Sequence, residues 1–306
     1  CFSKGGKKIE RLGTKEGMTT LGESKEEFLF LDKKLFKSNL EKMLSFTKEV
    51  NELIFFKLVN KAYEITLSNN NKSNIFYHIH NPGYYAKLNF KSLVNNCKWL
   101  MMVRDPIDSC ESWVHKPFLE NNYKDIVSKI VTMLYDIDDD IFLNDDVIGL
   151  RLEDLKSKPK NTLSKLCKWM KIREEKTIFE MTAQGKKWWG DKSSPTQPAF
   201  GKLSNAKLGA VFNKDDRLIL ETLFYPFNVR FGYREKNIKL FKHNLINIKN
   251  KLSNLFNFEK EILKNLKIQE EEYTKTGTYL YFRSKLKQRW STLNEYNTYP
   301  NMIHPL

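Results

Sequence analysis

Apolar and polar positions change rhythm several times along this chain. Between residues 23 and 73 apolar side chains recur three or four apart: Phe28, Leu29, Leu31, Leu35 and Leu40, then Met43, Phe46, Val50, Leu53, Ile54, Leu58 and Ala62. That period predicts helix with most of these residues in a core, ended by Asn69–Asn71. Asn74-Ile-Phe-Tyr-His-Ile-His-Asn-Pro82 reads as a strand that breaks at Asn-Pro-Gly. Trp99–Val103 is an unbroken apolar run of five, the pattern of a strand buried on both faces of a parallel sheet. A helix and then a polar loop are expected over 121–146. After Pro159 a helical period carries Leu163, Leu166, Trp169, Met170 and Ile172. Residues 184–204 are a loop rich in Gly, Pro and polar residues, with Trp188 and Trp189 adjacent in it. Leu240, Phe241, Leu245, Ile248, Leu252, Leu255 and Phe256 predict an amphipathic basic helix near the end.

The strand at 99–103 leads into the most informative chemistry. Arg104 follows at its carboxyl end. Asp105 is placed to cap a helix whose first residue, Pro106, lacks an N–H and has a pre-set φ. Ser109 and Ser112 fall in the first turns of that helix. Ligands of open α/β sheets sit beyond the carboxyl ends of strands, beside helix N-termini. A guanidinium, hydroxyls and a helix dipole at one place are equipment for a phosphate.

Composition narrows the class. A chain of 306 residues with 41% hydrophobic and 29% charged residues is globular and long enough for a full α/β core. The net charge of +15 favours anionic ligands. No apolar run reaches the length of a membrane span. Cys1, Cys97, Cys110 and Cys167 lack CxxC spacing, which fits reduced or incidental thiols rather than a zinc site or disulfide framework. Asp136, Asp138, Asp139 and Asp140 cluster, but read as a solvated acidic loop rather than a metal site. Asn71-Lys-Ser73 is the one glycosylation sequon.

The junction resembles the 3′-phosphate-binding motif of sulfotransferases that use 3′-phosphoadenosine 5′-phosphosulfate (PAPS). In that family a strand ends in an Arg-Asp-Pro-like sequence, and a Ser eight residues after the Arg shares the 3′-phosphate. Arg104 and Ser112 match those positions. Val147-Ile-Gly-Leu-Arg-Leu-Glu-Asp-Leu155 followed by Pro159 resembles the family's strand and Glu-Asp-Leu…Pro helix entry. The stretch at 74–82 resembles its Lys-Thr-His-Leu-Pro segment, and Asp215–Gly232 with Tyr233 its closing helix and Gly-Tyr ending. The likeness runs in order over residues 74–233.

The resemblance implies site residues. His80 falls on the base that takes the acceptor's proton, and His78 on the family's Lys position. Glu23 is the alternative base, as in glycan sulfotransferases that place a Glu shortly after the phosphosulfate loop. Ser3-Lys-Gly-Gly-Lys-Lys8 is the candidate for that loop, with Lys4 and Lys7 as its cations. Arg104, Ser112 and Ser109 hold the nucleotide. Trp188, Trp189 or Phe200 stacks on adenine, and Lys186, Lys187 or Lys202 reaches phosphate.

The fold implied is α/β: a three-layer sandwich with a central parallel sheet flanked by helices, P-loop NTPase-like, over 1–233, plus a basic, partly helical extension over 234–306. That extension holds 14 Lys/Arg against 7 Asp/Glu. The activity implied is transfer of a sulfuryl group from PAPS to a hydroxyl or amine of a carbohydrate or other anionic acceptor, giving 3′-phosphoadenosine 5′-phosphate (PAP). No metal and no nucleic-acid partner are expected, and the location expected is cytoplasmic rather than Golgi-lumenal. The extension is expected to pack back on the domain, with an acidic glycan, a membrane surface or a partner chain (a second copy included) as alternative partners. Two other functions stay open: a non-catalytic polyanion- or nucleotide-binding protein on the same scaffold, and a P-loop-type kinase. Against the kinase, the chain has no G-x-x-x-x-G-K-[ST] motif.

Overall fold

The computed structural model describes residues 17–69, 74–79, 90, 92–94, 97–136, 147–190, 200–201 and 208–295. The chain divides into two compact units, Cys1–Cys97 with Ile172–Ala199, and Lys98–Lys171 with Phe200–Leu306.

In the first unit α1 spans Lys33–Ser45 and α2 spans Glu52–Thr66. Each begins where a short polar side chain takes free N–H groups of the first turn. Asp32 Oδ1 accepts from the Lys34 and Leu35 N–H groups at 2.9 and 3.0 Å, and Asn51 Oδ1 accepts from Ile54 at 2.9 Å. The helices pack on one another, and Asn39 Nδ2 donates to Thr66 Oγ1 at 3.1 Å. The helical series expected over 23–73 is thus two helices with a break at 46–51. The expected core is also mostly absent: of the twelve apolar positions only Leu31 and Ala62 are buried, and Phe46 is 79% exposed. Phe46 and Val50 carry the apolar rhythm through the break without sitting on a helix face.

Residues 74–79 form no strand, and 74–78 are exposed. Tyr77 stacks on Phe90 at 4.8 Å between ring centroids instead. Thr182–Ala183 and Lys186–Lys187 make a small antiparallel hairpin. Its turn residues Gln184 and Gly185 have φ of 52° and 73°, the left-handed pair that matches strand twist.

The second unit runs β1 (Trp99–Val103), α3 (Pro106–Leu119), α4 (Tyr123–Asp136), β2 (Val147–Arg151), α5 (Leu152–Ser157), α6 (Pro159–Met170), α7 (Lys214–Leu223), α8 (Tyr225–Arg230), α9 (Ile238–Lys249), α10 (Asn257–Leu266), α11 (Glu270–Tyr273) and α12 (Gly277–Glu295). β1 and β2 pair in parallel, Trp99 opposite Val147 and Val103 opposite Arg151. The unit is mixed α/β and mostly helical. Among the described residues the parallel sheet has these two strands, and a central sheet with helical layers on both sides is not seen in them. Nor is β1 buried on both faces: Met102 is 54% exposed, and only Val103 of the five is fully buried. An unbroken apolar run carries no face-specific pattern, so it could not report a covered and an open side.

Gly149 lets the chain's later part come close to β2. A Cβ there would lie 2.4 Å from the Phe231 ring. The segment after residue 234 has no separate core among the described residues. Phe241, Ile248, Phe258, Phe282 and Leu286 join one buried cluster with Ile107, Val114, Ile126 and Leu220. Buried carboxylates tie it in. Asp216 accepts from the Asn257 and Phe258 N–H groups at 2.8 and 3.1 Å. Glu259, fully buried, accepts from Tyr123 Oη at 2.5 Å and the Phe256 N–H at 2.7 Å, and pairs with Arg283. Burial pushes the Glu259 carboxyl up, against the pull of Arg283 and of Tyr123. The single amphipathic helix expected from 240 to 256 ends at Lys249, passes through a 3₁₀ turn at Asn250–Ser253, and leaves Leu240 54% exposed. Cys110 and Cys167 are buried. No helix among the described residues is long and apolar enough to cross a membrane.

Candidate functional site

The site is built where β1 and β2 end. Asp105 Oδ1 accepts from the Ile107 and Asp108 N–H groups at 3.0 and 3.1 Å, with Pro106 as the first residue of α3. α3 buries Ile107, Cys110 and Val114. Counting four and seven residues on from Asp105 reaches Ser109 and Ser112, which therefore share the opposite face with Asp108. All three are partly exposed. Ser112 lies about 10 Å of helix rise beyond the cap. The fold thus gives Arg104, Ser109 and Ser112 one strand-to-helix junction. Arg104 Nε is buried and has no hydrogen-bond partner.

Carboxylates crowd this tip. Glu153 Oε1 accepts the Asp105 N–H at 3.0 Å, and its Oε2 accepts from Tyr233 Oη at 2.8 Å. Burial first, then the Glu153 charge, pushes the Tyr233 hydroxyl up, so it stays a donor. Arg151 hydrogen-bonds Asp154 through Nε, donates to the Gly232 carbonyl at 3.0 Å and lies 5.6 Å from the Tyr233 ring centroid. Gly232 has φ 69°, the left-handed turn that brings Tyr233 back to the strand ends.

Beside them Arg217 reaches Asp108 at 3.4 Å and Glu111 at 3.3 Å. Glu111 is fully buried and accepts three backbone N–H groups, from Gly209, Val211 and Phe212, at 2.9, 2.9 and 3.0 Å. Burial pushes the Asp108 carboxyl up, helped by Asp105 and Glu153 and opposed by Arg217 and Arg104. The junction is therefore charge-mixed. Asp105 is spent on its cap and Glu153 on two donors, which leaves Asp108 as the carboxylate that competes for Arg104.

The other expected residues, Phe200 apart, belong to the first unit or lie outside the described residues. Glu23, Trp188 and Trp189 belong to the first unit, while Arg104, Ser109 and Ser112 belong to the second. Glu23 is exposed and pairs with Lys187 at 2.7 Å, and Lys186 pairs with Glu27 at 3.0 Å. Trp189 Nε1 donates to the Gly22 carbonyl at 2.7 Å, and the Lys25 and Lys187 ammonium groups lie 4.6 and 4.1 Å from its ring centroid. Trp188 Nε1 lies 3.1 Å from where a Cβ on Gly17 would sit. The two indoles thus pin their loop to residues 17–25. His80, Lys4, Lys7 and Lys202 lie outside the described residues. His78 is exposed. Among the described residues no cluster of His, Cys, Asp or Glu could hold a metal ion.

Reasoning from sequence did not single out Glu153, Tyr233, Asp108, Glu111 or Arg217. Glu153 and Tyr233 stood inside quoted motifs, but their meeting spans 80 residues of chain and had no local signal. Asp108 could have been found, being one helical turn from Asp105. Comparison with protein-family models, with curated proteins and with solved structures matches none of them to this chain.

Proposed function

We propose that this chain is a PAPS-dependent sulfotransferase, with the P-loop NTPase-like three-layer fold of that family, acting on a hydroxyl or amine of an anionic carbohydrate. The observation that carries the reading is Arg104: a strand-tip guanidinium with its Nε unpartnered, next to a capped helix N-terminus that presents Ser109 and Ser112. A phosphate monoester supplies what that Nε lacks and takes hydroxyl donors as well.

In the reaction, the acceptor oxygen attacks the sulfur of PAPS in line with the bridging phosphate oxygen. An O–S bond forms, and the S–O bond to the phosphate breaks with its electron pair leaving on PAP. The acceptor's proton passes to His80. Arg104 and Ser112 fix the nucleotide by its 3′-phosphate, and such positioning supplies several kcal/mol of barrier reduction. Lysines near the sulfuryl group stabilise the charge that builds on the leaving oxygen. His80 is preferred to Glu23 as the base, because an imidazole needs little tuning to work near neutral pH.

The test is transfer of labelled sulfate from PAPS to a uronate-containing oligosaccharide. His80→Ala is expected to abolish transfer while PAP affinity stays within about twofold. Retained turnover moves the base elsewhere. PAP binding without any transfer favours the non-catalytic alternative.

A further inference from the structure

A concave surface lined by none of the strand-tip residues lies between α4 and α12. It is an open groove of about 590 Å³, within the size range of small-ligand pockets. α4 lines it with Lys124, Ser128 and Thr132, spaced four apart on one face, above a floor of buried Val127 and Val131. α12 lines it with Thr278, Tyr281 and Lys285. None of the lining residues is acidic.

Contacts between the two helices fix the groove's walls. Tyr135 Oη donates to the Lys285 carbonyl at 3.0 Å, tying α4 to α12. The Lys285 ammonium lies 5.4 and 5.9 Å from the Tyr135 and Tyr281 ring centroids and 3.0 Å from Gln288 Oε1, so it is positioned rather than free-swinging. Tyr281 keeps 48% of its surface exposed. The first turn of the 19-residue α12 also opens here, capped by Thr276, whose Oγ1 accepts the Tyr279 N–H at 3.3 Å. The positive end of its dipole adds to the two lysines.

Two separated cations, a row of hydroxyls, an exposed phenol ring and an apolar floor recognise one ligand chemistry best. It has spaced anionic groups, many hydroxyls and rings with an apolar face. We propose that this groove binds an acidic oligosaccharide. A role in holding the acceptor chain at a point remote from its reacting hydroxyl rests on the sulfotransferase reading, but the binding itself does not.

The test is an equilibrium titration with a sulfated, uronate-containing hexasaccharide and no nucleotide, so that a failed transferase assignment and a failed groove are told apart. A neutral hexasaccharide of equal length is expected to bind at least about tenfold more weakly. Lys124→Gln with Lys285→Gln is expected to cost about tenfold, and Tyr281→Ala about fivefold. Lys236→Gln with Lys239→Gln removes the same charge from exposed positions that do not line the groove, and is expected to change affinity less than twofold. Equal losses from the two lysine pairs, no effect of Tyr281→Ala, or displacement by inorganic phosphate at equal concentration would each overturn the proposal. The lysine variants alter only polar lining and keep the test valid if Tyr281→Ala unfolds.

Discussion

Two arginines stand at the ends of two paired strands, and the protein uses them differently. Arg151 closes β2 opposite Val103, and Arg104 comes one residue beyond Val103. Arg151 is consumed at home by Asp154, the Gly232 carbonyl and the Tyr233 ring. Arg104 keeps its Nε unpartnered. Its neighbours explain why: Asp105 turns to its own helix, and Glu153 already accepts from Asp105 and Tyr233. One guanidinium is a structural brace. The other has an unpartnered Nε beside two carboxylates, Asp105 and Glu153, that are occupied elsewhere.

The largest effect should come from breaking the joint between the two tips. Glu153→Ala leaves the Asp105 N–H and the Tyr233 hydroxyl without their acceptor, an expected loss of about 3 kcal/mol in urea unfolding. An unchanged midpoint would mean that Glu153 joins nothing.

The arginines themselves should separate by readout. Arg104→Ala is expected to lower PAP affinity by about 10- to 100-fold with little change in stability. Arg151→Ala is expected to do the reverse, costing about 1 to 2 kcal/mol of stability and sparing the preference for a 3′-phosphate. Matching behaviour of the two variants would erase the distinction.

Smaller effects sharpen it. Ser112→Ala should lower PAP affinity about fivefold, one hydrogen bond's worth. Asp108→Asn should raise affinity a few-fold, because it removes the carboxylate that competes for Arg104. Its stability effect has a defined sign. Asp108's folded-state pKa lies above its ordinary value of 3.8. Its contribution is therefore fully present below that pH and is lost as pH rises through the raised value. The Asn variant should be at least as stable as the parent at pH 7 and show a flatter stability profile just above pH 4. A less stable variant at neutral pH would show that the Arg217 pair outweighs the cost of burial.

What could be read from sequence was local. The cap at Asp105 and the proline at the start of α3 need only adjacent residues, and both are found as expected. The strands expected at 99–103 and 147–151 are also found; that they pair with each other, in parallel, is the structure's addition. The break between α1 and α2 was hidden because Phe46 and Val50 keep helical spacing, although Asn51 before Glu52 is a cap signal that could have revealed it. Glu153's two donors come from 48 residues before it and 80 after, and no window reports such a meeting. The tryptophans at 188 and 189 entered as adenine candidates through the resemblance; their partners at 17–25 are more than 160 residues earlier, which no local window reports. The C-terminal helices read as an extension because their charge changes, while their buried face, which joins the common core, does not.

The most direct measurement is calorimetric titration of the unmodified chain with PAP and, separately, with 5′-AMP, which lacks only the 3′-phosphate. If Arg104 is held ready for that group, PAP should bind at least about tenfold more tightly. Equal affinity for the two nucleotides, or no binding of either, would contradict it.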